Sequence, residues 1–399
     1  MKVLVVNSGS SSLKYQILDM ETEKLLCKGL VERIGLSDSH IVQKCSGNVF
    51  EETLKLDDHE QAFKRVIELI THNEYGCLKS LEELHAVGHR LVHGGEKFSA
   101  STLITDEVLE EMEHLVNLAP LHNPANITGV KAARKLLKNI PQVGVFDTAF
   151  HQTMPAMAYM YGIPYQLYET HKIRRYGFHG TSHKYVSGQA AKLLNKNIKD
   201  LKIVSCHIGN GASVAAIDGG KVIDTSMGFT PLEGLMMGTR SGDLDPAIIL
   251  YLIRTAGYTP DEVDTIINQR SGIFGVSNYL SFDMRDIRKA RDEGNKLAGL
   301  ALDMYIYRIA KYIGSYATAM KGLDAVIFTA GVGENTVEIR QRVSEYLTIF
   351  GAEISDEKNE AIYGVGGIFS KEGSKVKLLM IPTNEELAIA RDTIEILKH

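Results

Sequence analysis

The stretch Val3 to Leu18, VLVVNSGSSSLKYQIL, constrains the fold more than any other. It predicts a strand (Val3–Val6), a small-residue turn (Asn7–Ser12) and a second strand (Leu13–Leu18). Gly and Ser in the turn let backbone N–H groups approach an anion closely, and the hydroxyls add donors. Asn7 ends the first strand, so its amide oxygen can enter the same space. An ordinary Ser-rich hairpin would have the same composition. A second hairpin, KIVSCHIGNGASVAAIDGGKVIDTS (Lys202–Ser226), repeats the order strand, Gly/Asn/Ser turn, strand. The repeat favours reading the first hairpin as holding the phosphates of a nucleotide–metal complex, within a weak internal duplication of two related halves; chance recurrence of a common unit is its competitor.

A chain of 399 residues is long for one core, so two domains are expected, 1–150 and 151–383. The change of texture to Met, Tyr and Pro over Phe150–Pro164 marks the boundary. The 44 basic and 49 acidic side chains give a net charge of -5, which disfavours nucleic acid as a partner but permits a local basic cleft. Cys27, Cys45, Cys77 and Cys206 are far apart in sequence and form no C-x-x-C pair. They read as reduced thiols in a cytoplasmic protein, not as a zinc site. No apolar run approaches the ~18 residues of a membrane span. The N-terminus enters a strand directly, without a basic region or cleavage signal.

Strands are expected at Lys24–Glu32, within His40–Leu56, around Arg90, and at Gln142–Phe146, Asp324–Phe328 and Val376–Ile381. Helical spacing marks Asp58–His72, Asp106–Leu118, Ala125–Lys138, Ser182–Leu194, Arg285–Tyr316 (broken near Gly294), Thr336–Leu347 and Glu385–Leu397. Thr259-Pro-Asp-Glu262 is a capping box. Strands alternating with such helices predict α/β architecture with parallel pairing.

Three Gly-rich turns fall at strand ends: Gly9–Ser12, Gly209–Ser213 and Gly331–Glu334. Ligands of open α/β sheets sit beyond such ends. Gly331-x-Gly333 lacks the third Gly of a dinucleotide fingerprint, and no P-loop motif occurs. Arg90 and Arg240 lie beside turn residues, where a guanidinium can donate two parallel bonds to an anion; a structural Arg–carboxylate pair is the alternative. The His89/His93 and His179/His183 pairs have i, i+4 spacing but lack the Glu of H-E-x-x-H, which disfavours a transition metal. Asp147 ends a buried strand, as a working carboxylate or a cap. Thr383-x-x-Glu386 reads as a capping box, which leaves Glu385 freer to reach a magnesium-bound water together with Asn7.

The segments VNSGSSSLKY, GHRLVHGGEKF, APLHNPAN, VFDTAFHQTMP, RRYGFHGTSHKYV, CHIGNGAS, TSMGFTPLEGLMMGTRSGDLDP, FTAGVGEN and IPTNEELAIARDT resemble the acetokinase family along nearly the whole chain. The resemblance implies a duplicated two-domain actin-like (ribonuclease H-like) ATPase fold with an active-site cleft between domains, the first domain closed by a C-terminal helix, 384–399, and the second binding nucleotide. It implies reversible, direct in-line transfer of the ATP γ-phosphoryl group to acetate, giving acetyl phosphate and ADP, in a homodimer with Mg²⁺ (Mn²⁺ as the alternative ion). Propionate or butyrate is the alternative acceptor. Residue by residue, it implies Asn7 and Glu385 for the metal. Arg90, Asp147, His179 and Arg240 carry catalysis, with Arg90 also binding the acceptor. Val92, Leu121, Phe178 and Pro231 surround its methyl group. Lys14, His207, Ile208, Gly209, Asn210, Gly211, Asp283, Met284, Arg285, Gly331, Val332, Gly333, Glu334 and Asn335 contact nucleotide. Met284 stands where Phe is common in the family.

Overall fold

The structure, a computed structural model, describes residues 1–120 and 122–398. It divides into two compact units, Met1–Ala149 with Asn384–His399, and Phe150–Thr383.

Unit 1 is built on strands β1 (Lys2–Ser8), β2 (Ser12–Asp19), β3 (Lys24–Glu32), β4 (Ser39–Cys45), β5 (Asn48–Leu54), β6 (Leu84–Leu91), β7 (Thr102–Leu103) and β8 (Gln142–Phe146). They form one sheet, in the order β5-β4-β3-β2-β1-β6-β8-β7. The first five strands pair antiparallel, whereas β6 runs parallel to β1 and β8 parallel to β6. The central strands are Val-rich and buried on both faces, as parallel pairing requires. One face packs on the His59–Ile70 and Asn123–Leu136 helices, through Phe63, Val66, Leu69, Ala132 and Ala133 against Leu4, Leu13, Ile17 and Ile41.

Unit 2 uses β9 (Lys202–Ile208), β10 (Ala212–Asp218), β11 (Lys221–Thr225), β12 (Ala325–Thr329), β13 (Gly367–Ile368) and β14 (Lys377–Met380). Their order is β11-β10-β9-β12-β14-β13. Here an antiparallel trio, in place of the five antiparallel strands of unit 1, is followed by two parallel additions and an antiparallel edge strand. The halves are therefore duplicated in topology: β3-β2-β1-β6-β8 corresponds to β11-β10-β9-β12-β14. The two hairpins seen in the sequence are the matching openings of these sheets.

Several predicted details shift. Asn7 lies inside β1, paired with Lys14, not in the turn. Gly331–Glu334 belongs to a short helix, Ala330–Asn335, not to a turn. The expected Thr383–Glu386 capping box does not form. Asn384 is the N-cap of the Glu385–Leu397 helix, its Oδ1 accepting from Leu387 N at 3.0 Å. Asn competes well for that position, and Thr383 N donates instead to Glu334 Oε1 at 3.0 Å.

The Glu385–Leu397 helix packs on β6 at Gly88. A Cβ built there would lie 2.4 Å from Thr393 Oγ1 and 2.8 Å from Ile389 Cγ2. Gly88→Val should therefore lift this helix from the sheet and lower the unfolding free energy by about 1–3 kcal/mol. Urea titration followed by circular dichroism measures it; an unchanged midpoint would show that the helix is not seated through Gly88.

Candidate active site

Parallel pairing brings the carboxyl ends of β1, β6 and β8 to one edge of unit 1, and each contributes a polar residue there. Arg90 on β6 donates from Nη2 to Asp147 Oδ2 at 2.6 Å, just beyond β8. Arg90 Nε lies 3.6 Å from Glu385 Oε2, at the start of the closing helix, and makes no hydrogen bond. Both readings of Arg90 thus hold at once: it is paired with carboxylates, and it lines a cavity. That cavity, of about 400 Å³, is also lined by Asn7, Lys14, Glu385 and Glu386. A second, of about 330 Å³, is lined by Asn7, the Ser8–Ser10 turn, Lys14, Arg90, Val92 and His122.

Burial pushes the Glu385 carboxyl up to about 7; Arg90 pulls it down, while Asp147 and Glu386 push it up. The surrounding carboxyls hold Arg90 firmly protonated, Asp147 foremost. Three carboxyls around one guanidinium leave the edge short of positive charge. The donors are hard oxygens, from Asn7 and Glu385, which is the chemistry Mg²⁺ accepts.

In unit 2, His179 has φ 57°, an uncommon backbone for a residue with a Cβ, and precedes the Gly180–Leu193 helix. Its Nδ1 is hydrogen-bonded to Ser213 Oγ at 2.9 Å. The same hydroxyl is hydrogen-bonded to His183 Nε2 at 2.8 Å, and His183 Nδ1 to Ser205 Oγ at 2.9 Å. The His179/His183 pair is thus joined by a hydroxyl. His207 stacks on His179 with ring centroids 4.1 Å apart and is hydrogen-bonded through Nδ1 to Ser182 Oγ at 2.8 Å. A Cβ on Gly211 would lie 3.6 Å from both His179 Cε1 and Arg240 Nη1, so these two side chains converge on the Gly209–Gly211 turn. Arg240 Nη1 donates to Pro231 O at 3.3 Å and contacts Met237 Sδ at 3.8 Å. Burial lowers its proton affinity, and no carboxylate among the described residues offsets this.

Not every anticipated residue offers its side chain. Ile208 and Met284 are core. Glu334 is turned towards Ala330 N, 2.8 Å away, and Thr383 N. Asn335 donates to Gly331 O at 2.8 Å. Asp283 caps the Met284–Asp292 helix, and its bonds from Arg285 draw its carboxyl down to about 2. Phe178 is buried, its carbonyl accepting from His151 Nε2 at 2.8 Å. Leu121 lies outside the described residues.

His183 was read in the sequence only as half of a disfavoured metal pair and Ser213 only as the end of a turn, whereas Ser205, which holds His183 behind His179, and Arg340 went unread. That fully buried guanidinium donates at 2.8 Å to the carbonyls of both Gly333 and Glu334. One Ser in each of two buried strands, Ser205 on β9 and Ser213 on β10, was the available signal. All four cysteines are free thiols, as expected, but Cys27, Cys45 and Cys77 meet in unit 1 despite their spacing in the sequence.

Two sheets of one strand order, with cationic side chains and small-residue turns at the strand ends, define the actin-like (ribonuclease H-like) class of phosphotransferases. Residues 2–391 match the family described as the Acetokinase family. An acetate kinase of Thermotoga petrophila is 56% identical over 399 residues, covering 100% of this chain and 99% of that one. The crystal structure of Porphyromonas gingivalis acetate kinase superposes with a TM-score of 0.96 at 48% identity, over 99% of both chains. A propionate kinase of Francisella tularensis gives 0.91 at 40%, again over 99% of both chains. The chain belongs to the acetokinase family.

Burial holds the His89 and His151 imidazoles down at about 4, and His183 well below its ordinary range. In the unfolded chain each takes a proton near 6.5. Below about 6.5 the unfolded state therefore binds more protons, and stability falls as pH drops towards 4; above it their contribution is flat. Denaturant titrations across this range should show the fall, and His89→Gln should make it shallower. An unchanged slope in the variant would mean that His89 takes up its proton in the folded chain.

Proposed function

We propose that this protein is an ATP:acetate phosphotransferase. An acetate oxygen attacks the γ-phosphorus in line, the bond from phosphorus to the ADP oxygen breaks, and acetyl phosphate and ADP result, reversibly. Arg240 carries this reading. A half-buried guanidinium with no carboxylate partner among the described residues is well placed for an arriving anion to pair with it. Phosphoryl transfer asks a protein mainly for position and for charge around the equatorial oxygens. Arg240 and His179 supply donors of that kind, and Ser213 holds the His179 ring in place.

The acceptor carboxyl resembles a Glu side chain, with a pKa of about 4.3, and is ionised near neutral pH without a strong base. Arg90 binds it through its remaining donors, and Val92, which lines the same cavity, supplies apolar surroundings. Asp147 orients Arg90 rather than removing a proton. Lys14, the Gly209–Gly211 turn, the Asp283–Arg285 segment and the Gly331–Asn335 helix receive the nucleotide. Asn7 and Glu385 would hold Mg²⁺ or Mn²⁺, whose bound charge neutralises phosphate oxygens.

A homodimer belongs to the same reading. The Pro246–Arg254 helix, PAIILYLIR, buries none of its side chains within the chain, and Tyr251 is 60% exposed. Among the described residues no helix is long and apolar enough to cross a membrane, so an apolar face of this kind suits a second copy. A cytoplasmic location completes the proposal.

Hydroxylamine trapping of the acyl phosphate, with ATP, Mg²⁺ and acetate, propionate or butyrate, tests the activity. Acetate should give the highest kcat/KM; a preference for propionate would reassign the acceptor. Arg240→Ala should reduce kcat on the order of 100-fold or more, with little change in the KM for acetate. The reverse pattern would make Arg240 a binding residue. Separately, Tyr251→Asp should convert the sedimenting species from dimer to monomer; a dimer that persists would place the interface elsewhere.

A further inference from the structure

Cys27, Cys45 and Cys77 come from three separate segments of unit 1, yet their Sγ atoms all lie within 4.8 Å of one another. Cys27 on β3 and Cys45 on β4 face each other across the antiparallel ladder, and both are buried. Cys77 is half-buried and follows the His59–Ile70 helix.

The segment carrying Cys77 is docked by bonds that involve no thiol. Cys77 N and Leu78 N both donate to Ile70 O at 3.0 Å. Gly76 permits the tight return, since a Cβ there would lie 2.6 Å from the carbonyl oxygens of Ile70 and His72. Gln43, two residues before Cys45, donates to Leu69 O at 3.1 Å and Tyr75 O at 2.8 Å. Its Oε1 accepts from Tyr15 Oη at 2.6 Å. The three sulfurs are thus brought together by a scaffold that holds without them.

One buried cysteine is a small apolar side chain and needs no further explanation. Three sulfurs directed at one point form a donor set. We propose that Cys27, Cys45 and Cys77 bind one soft d¹⁰ cation, Cu(I), in a three-sulfur site. Metal–sulfur bonds of roughly 2.3 Å separate the sulfurs by about 3.8–4.0 Å, inside the observed limit. No fourth His, Cys, Asp or Glu joins the group among the described residues. That falls short of the four ligands of a structural zinc site and suits Cu(I), for which thiolate sulfur is selective.

Each sulfur that ligates as thiolate releases its proton to water. Cys77 is the least buried of the three, which provides the route of entry. A bound ion would tie the Gly76–Leu78 segment to β3 and β4 and stabilise the folded chain by mass action.

The test uses the full chain, reduced with a non-thiol reductant under nitrogen. Cu(I) is titrated in competition with a chromophoric Cu(I) chelator. One ion per chain should be retained, with a raised melting midpoint, and X-ray absorption should show three sulfur scatterers. Cys77→Ser should weaken binding on the order of 100-fold, a loss that even outer-shell partners can cause. Cys206→Ala, in unit 2, should leave it unchanged. No retention against the chelator, a nitrogen or oxygen shell around the copper, or equal retention by Cys77→Ser would each overturn the proposal. The absorption spectrum of the unmodified protein decides the matter even where a variant fails to fold.

Discussion

Parallel strands end on the same side of a sheet, and the chemistry of this protein depends on that constraint. The antiparallel opening hairpin alone would place Asn7 beside a turn and nothing more. When β6 joins β1 and β8 joins β6, both parallel, Arg90 and Asp147 arrive at the edge where β1 finishes. They come from positions more than fifty residues apart and meet at 2.6 Å. The closing helix adds Glu385 to the same edge because Gly88 lets it approach the sheet. The strand order of unit 2 repeats the device, bringing the Gly209–Gly211 turn within reach of His179 and Arg240.

The two units carry opposite imbalances of charge. In unit 1, carboxyls outnumber the guanidinium they surround, and burial resists the ionisation of Glu385. In unit 2, Arg240 is half-buried and no carboxylate among the described residues pairs with it. The first imbalance invites a cation and the second an anion. The hard-oxygen donors of this edge and the three sulfurs behind β3 and β4 then suit ions of different character, so neither group need compete for the ion of the other.

Much of the architecture was legible because it is local. β3 and β8 have the boundaries that the sequence implies. Gly294, with φ 92°, breaks the long helical region where expected, and the Thr259 capping box forms. The misreadings arose where two local options competed. Thr383 and Asn384 are both good caps, and tertiary bonds to Thr383 decided for Asn384. Gly331–Glu334 has turn composition but becomes helical. There the Glu334 carboxylate accepts from the N–H of Ala330, and Arg340 satisfies the carbonyls that follow.

By itself the sequence determined the duplicated strand–turn–strand openings, the residue types at each strand end and the family. These follow from short-range periodicity and from motifs read along the chain. Only the tertiary structure decided which side chains meet: the Arg90–Asp147–Glu385 group, the Ser213 bridge between His179 and His183, and the sulfur triad. Such meetings depend on strand order, register and the seating of distant helices. A one-dimensional pattern records which face a side chain takes, but not which side chain from elsewhere in the sequence will lie opposite.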